Sequence, residues 1–121
     1  MSQQIKVYRE LQLRDAAKIT GAGSATSTAG AATINKSAGQ ITTEALTTAA
    51  GASYTMTLTN SLIAPTSIVL VTVGKGNATV GEPVVQFVTP AAGKAVILIR
   101  NVSASTALNG TVTINFAVFN A

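Results

Sequence analysis
The chain has 121 residues, of which 47% are hydrophobic and only 10% charged, with a formal net charge of +4 and no histidine, cysteine or tryptophan. Disulfides, thiolate metal sites and imidazole acid–base chemistry are thereby excluded, and the length fits one domain with a modest core. Soluble domains carry roughly 25% charged residues, so much of this surface must be neutral, and a neutral surface favours contact with other proteins.

The first segment, residues 1–19, holds four of the eight basic residues, Lys6, Arg9, Arg14 and Lys18, partly balanced by Glu10 and Asp15. Ile5, Val7, Leu11 and Leu13 alternate around Arg9, while Val7 and Leu11 also stand at helical spacing, so periodicity leaves helix and strand both open. The start Met1-Ser2-Gln3-Gln4 has no continuous apolar stretch behind its charges, so no signal peptide is expected. We read this segment as an arm. An idle tail is usually polar throughout, whereas Ile5, Val7, Tyr8, Leu11 and Leu13 can dock on a partner, with Arg9 and Arg14 pairing to acidic groups there.

Residues 20–30, Thr-Gly-Ala-Gly-Ser-Ala-Thr-Ser-Thr-Ala-Gly, contain no large apolar side chain and are expected to form a flexible linker. From residue 31 to 121 the pattern changes to short strands separated by small-residue turns. Ala32–Asn35 and Gln40–Thr43 are expected as short strands. Ser53–Asn60 alternates most clearly, with Tyr54, Met56 and Leu58 on one face and threonines on the other. Ser67–Val73, Pro83–Val88 and Ala95–Ile99 are apolar on both faces and call for a second sheet, and a neighbouring subunit, to cover them. The last strand, Thr111–Phe119, turns Val112, Ile114, Phe116 and Val118 inward and Asn115 and Phe119 outward. Turns are expected at Gly74–Asn77, Pro90–Gly93 and Asn109-Gly110. Strands at short intervals without an amphipathic helix predict an all-β fold, an antiparallel β-sandwich or jelly-roll-like barrel with an extended N-terminal arm.

The chemistry-bearing residues are few. Gly74-Lys75-Gly76-Asn77 lacks the spacing of a phosphate loop and reads as a hairpin turn. Glu44 and Glu82 are the only carboxylates outside the arm, and a glycosidase pair would also need aromatic platforms. The N-x-[ST] triplets at Asn35, Asn77, Asn101 and Asn109 are the chance product of a Ser/Thr-rich chain. The sparse basic residues are not interleaved with Tyr8, Tyr54, Phe87, Phe116 or Phe119 in the manner of a nucleic-acid surface. No apolar run approaches the roughly 18 residues needed to span a bilayer. The expectation is a non-enzymatic protein with no cofactor, metal site, small-molecule substrate or membrane partner.

The run Ala32-Thr33-Ile34-Asn35-Lys36-Ser37-Ala38-Gly39-Gln40-Ile41-Thr42-Thr43-Glu44, followed by Tyr54–Asn60 and by the closing Leu108–Phe116, resembles small virion proteins of tailed bacteriophages, and among them the capsid decoration, or cement, proteins. The resemblance lies in composition and strand pattern and spans Gly30 to Asn120. It implies a β-rich structural subunit, made in the host cytoplasm, that sits on the exterior of the capsid as a homotrimer with the major capsid protein as partner. On that reading Ile5, Val7, Tyr8, Arg9, Leu11, Leu13 and Arg14 dock on the shell, and the doubly apolar strands, represented by Ile68, Leu70, Val96 and Leu98, form the subunit interface. Head-fibre and tail-fibre modules share such features, and in that alternative loops 74–82 and 103–110 would bind a host glycan.

Overall fold
The computed structural model describes residues 22–120, which form eight strands and no helix. They are β1 (Gly23–Thr26), β2 (Ala31–Thr33), β3 (Ala38–Thr42), β4 (Ser53–Thr59), β5 (Ile68–Lys75), β6 (Pro83–Ala91), β7 (Lys94–Asn101) and β8 (Val112–Phe119). Two four-stranded sheets, ordered β1-β3-β8-β5 and β2-β4-β7-β6, pack face to face. The all-β sandwich expected from the strand pattern is therefore what the chain forms. The arm residues 1–19, including Ile5, Val7, Tyr8, Arg9, Leu11, Leu13 and Arg14, lie outside the described residues.

Period-two alternation builds the core. Met56 and Leu58 from β4, Ala95, Ile97 and Ile99 from β7, Ile41 from β3, and Val112 and Ile114 from β8 are all shut off from solvent. Their alternate neighbours on β4 are Thr55, Thr57 and Thr59, whose branched carbons suit the pleat while their hydroxyls face water. Burying each aliphatic side chain contributes about 1.5–3 kcal/mol, and these residues meet across the two sheets as one cluster.

The sheets are mixed, which corrects the antiparallel expectation: β1 pairs with β3, and β2 with β4, in parallel. The cause is the path of the chain. From β1 to β4 it changes sheet at every strand, so strands that become neighbours are two steps apart and run the same way. The first reversal is a two-residue turn, Ala29-Gly30, with φ of 49° and 76°. Thr28 N donates to Ala31 O at 2.9 Å, and Ala31 N to Thr28 O at 3.0 Å. Such a turn with both central residues at positive φ matches the twist of a hairpin. Here its two arms part at once, one into each sheet.

Three further expectations are corrected. Residues 23–30 are not a linker: Gly23–Thr26 pair with Gly39–Thr42, and Ala25 packs on the core. Small side chains are what this edge admits, since a Cβ on Gly23 would stand 2.6 Å from Ile34. Asn109-Gly110 is not a hairpin turn either. Gly110 bridges to Leu46, whose N–H donates to Gly110 O at 2.9 Å, and its missing Cβ makes room for Asn77 and Ala78. The expected turn at Pro90–Gly93 narrows to Ala92-Gly93, because Pro90 and Ala91 pair with Ala95 and Lys94. Proline is tolerated there because β6 is an edge strand.

Candidate functional site
Glu44 follows β3 and is the carboxylate around which a polar cluster forms. Ser27 Oγ donates to its Oε1, Tyr54 OH donates to the same oxygen at 2.9 Å, and Gly30 N donates to Oε2 at 2.8 Å. In return the Glu44 N–H donates to Ser27 Oγ at 3.2 Å. One side chain thus ties the β1–β2 turn to the start of β4. Thr43, wholly buried beside it, donates from Oγ1 to Glu44 O at 2.8 Å and accepts from Val112 N at 2.9 Å, which anchors the same segment to β8.

Burial opposes ionisation of Glu44, but the hydrogen bonds from Ser27, from its own backbone, from Tyr54 and from Gly30 outweigh it and hold its carboxyl below the ordinary value of 4.5. Burial, and then the adjacent Glu44 charge, push the Tyr54 hydroxyl upward against the opposing Ser27 contact, so it remains a proton donor. Chemically the cluster is a latch. A carboxylate held in its anionic form by these donors is a poor base, and the hydroxyl protons of Ser27 and Tyr54 are both committed to it.

An open pocket of about 440 Å³ lies against this latch, lined by Glu44, Leu46, Thr47, Thr48, Ser53 and Tyr54 among others. Glu82, exposed at the head of β6, is not part of its lining. The pair of carboxylates weighed as a glycosidase centre is therefore not assembled in this pocket. Among the described residues no cluster of three or more potential metal ligands occurs.

Replacing Glu44 with glutamine provides a test of the latch. The amide has one acceptor oxygen, so either Gly30 N–H or the Ser27 and Tyr54 hydroxyls face an NH₂ group. The variant is expected to lose about 1–2 kcal/mol at pH 7, discounted for the partial exposure of Glu44. Because the folded-state value of Glu44 is lowered, its contribution is complete above the unfolded value near 4.5 and is lost as pH falls through the folded value. Urea titrations of both proteins should show a gap at pH 7 that narrows below pH 4.5. A gap that stays constant into acid would show that the charge of Glu44 contributes nothing.

The residues expected at a subunit contact do not share a surface. Ile68 and Leu70 are 61% and 57% exposed and point outward from β5, while Val69, Val71 and Val73 face the core. Val96 and Leu98 are half-buried on β7, in the other sheet, opposite Thr57 and Thr55. The sandwich stands between the two pairs, so no single face of one subunit presents all four. Phe87, 49% exposed, pairs with Leu98, and Phe119, 50% exposed, pairs with Ile68. Each outer face thus carries its own apolar group.

The asparagines of the N-x-[ST] triplets serve as hydrogen-bonding staples. Asn35 Oδ1 accepts from Ser61 N, Asn77 Oδ1 from Thr111 N, and Asn109 Oδ1 from Thr79 N and Val80 N. Asn101 is fully buried. Loops 74–82 and 103–110 are consequently joined to one another at one end of the sandwich. Sequence reading missed the latch because Ser27, Gly30 and Tyr54 are unremarkable in a chain rich in such residues. The available signal was that Glu44 is one of only two carboxylates after residue 19.

The fold and the latch define a two-sheet β-sandwich whose polar cluster holds loops together. No family model, curated protein or solved structure matches the chain.

Proposed function
We propose that this protein is a non-enzymatic virion subunit that binds and stabilises the outer surface of a bacteriophage capsid as a trimeric decoration protein, with the major capsid protein as its partner and no cofactor. The observation that supports this reading most is the surface itself: exposed Ile68, Leu70, Phe87 and Phe119 on a body with few charges, built to be covered by protein. A subunit that binds only the assembled shell stabilises it by mass action, without any chemistry. The arm gives a small body reach, and its alternating apolar residues suit addition to an exposed sheet edge.

The test mixes purified protein with shells that lack it and reads occupancy and heat resistance. Saturable binding at a multiple of three per lattice repeat, with a more heat-resistant shell, is the expected result. Deleting residues 1–19 removes Ile5, Val7, Tyr8, Arg9, Leu11, Leu13 and Arg14 and leaves all eight strands. That variant should melt like the parent and lose shell binding. Undiminished binding by the truncated protein would remove the docking role from the arm.

The pocket beside Glu44 favours a second reading, a head-fibre or tail-fibre module for a host glycan. Its hydroxyls from Thr47, Thr48 and Ser53, with the Tyr54 ring, are groups that contact sugars, and they lie outside the loops first considered for that role. Glycan-array binding that is abolished by Thr48→Val, together with no retention on shells, would select this alternative.

A further inference from the structure
We infer that the outer face of the β1-β3-β8-β5 sheet is the surface through which copies of this chain associate with one another. A face that meets its own copy closes as a two-fold pair, so this contact joins subunits in twos, goes beyond the threefold arrangement proposed above and is independent of the shell.

Three exposed apolar side chains converge at one end of this face. Ile68 stands directly opposite Phe119, and Leu70 opposite Ala117, so all point the same way. Leu62, 45% exposed, is brought to the same end by the Asn120 Nδ2 bond to its carbonyl at 3.0 Å. Beside them runs a row of neutral polar groups already bonded to each other: Gln40 Nε2 donates to Asn115 Oδ1 at 2.9 Å, and Asn115 Nδ2 to Thr72 Oγ1 at 3.3 Å. Strand alternation puts no charged residue anywhere on the face.

That lack of charge selects the occupant. Covering a neutral face with a charged surface strips water from ions and gives them no counter-charge. The N-terminal segment carries Lys6, Arg9, Glu10, Arg14, Asp15 and Lys18. The outer face of the other sheet carries Lys94 and Arg100 on β7. A second copy of the neutral face is the one described surface of this kind that adds no ion. Its size allows a contact: strands of four, five, eight and eight residues, at about 3.3 Å per residue and about 4.8 Å apart, give a footprint of roughly 400 Å². Side-chain relief raises the accessible area further, toward the roughly 800 Å² per partner of specific interfaces. Ile68 and Leu70 therefore belong to the contact, and Val96 and Leu98 do not.

The experiment is sedimentation velocity of the full chain over about 1–100 μM, a range that brackets micromolar association, with Leu70→Lys, Phe119→Ser and, as a control on the opposite face, Phe87→Lys. All three positions are about half exposed, so circular dichroism and melting should match the parent, and Phe119→Ser decides the matter if Leu70→Lys fails to fold. The parent should sediment as an oligomer, Leu70→Lys and Phe119→Ser should weaken it about tenfold or more, and Phe87→Lys should leave it intact. A monomeric parent, an oligomer indifferent to both substitutions on this face, or one broken only by Phe87→Lys would each overturn the inference. An oligomer that ignores shells would keep this surface and remove the decoration role, whereas a monomer that binds shells would do the reverse.

Discussion

Asn101→Ala is expected to lower the unfolding free energy by about 2–4 kcal/mol, which for a body of this size moves the melting temperature down by about 10–20 °C. The Asn101 side chain is fully buried and uses its whole hydrogen-bonding capacity. Its Oδ1 accepts from Glu82 N at 3.0 Å and Ser103 N at 3.1 Å, and its Nδ2 donates to Thr48 O at 3.0 Å and Thr106 O at 2.8 Å. Alanine leaves two N–H groups and two carbonyls without that partner where the side chain had been wholly buried, and each unmade bond is costly. Calorimetry reads the shift, and hydrogen exchange should show protection lost at Glu82 and Ser103 before the core strands. Asn109→Ala removes a comparable set of bonds at an exposed position and should cost under about 1 kcal/mol, since water replaces them. Equal losses in the two variants would mean that burial is not what makes Asn101 matter.

The second large effect is expected from Gly30→Ala, at about 3 kcal/mol or more. Gly30 has φ of 76°, where a Cβ costs roughly 1–2 kcal/mol by itself. A Cβ there would also lie 2.6 Å from the carbonyl oxygen of Thr55, a backbone atom with nowhere to move. Relief by shifting the turn would disturb the Gly30 N–H bond to Glu44 and the 2.8 Å bond from Thr57 N to Gly30 O, which tie the β1–β2 turn to Glu44 and to β4. Gly51→Ala separates the two contributions: its φ is 78° but nothing lies within 4 Å of the added atom. That variant should show the backbone cost alone, and the difference in denaturant midpoint between the two variants measures the clash. If Gly30→Ala costs no more than Gly51→Ala, the turn is pliable and the latch does not depend on its position.

Both effects sit in connections, where local sequence is a weak guide. Asn101 opens an N-x-[ST] triplet on a chain full of serine and threonine, and nothing adjacent shows that Thr48, Glu82, Ser103 and Thr106 meet around it. The same holds for Glu44, whose partners Ser27, Gly30 and Tyr54 are near it only because a hairpin turn and β4 fold back on β3. Residues 23–30, expected within a linker over 20–30, differ for a related reason. A strand of Gly, Ser, Ala and Thr has no large side chain to declare a buried face, and its place in the sheet depends on Gly39–Thr42 alongside it.

The sequence by itself determined the all-β class, the inward faces of β4 and β8, and the poverty of titratable chemistry, because period-two alternation and residue content are local properties that survive any topology. Tertiary structure alone decided which apolar set of β5 is buried. Val69, Val71 and Val73 and Ile68 and Leu70 are equally apolar, and only the register with Ile114, Phe116 and Val118 sends the first set inward and leaves the second in water. The parallel pairings, the latch and the separation of Ile68 and Leu70 from Val96 and Leu98 have the same origin: each depends on which strands become neighbours, and that is fixed by how the whole chain buries its core.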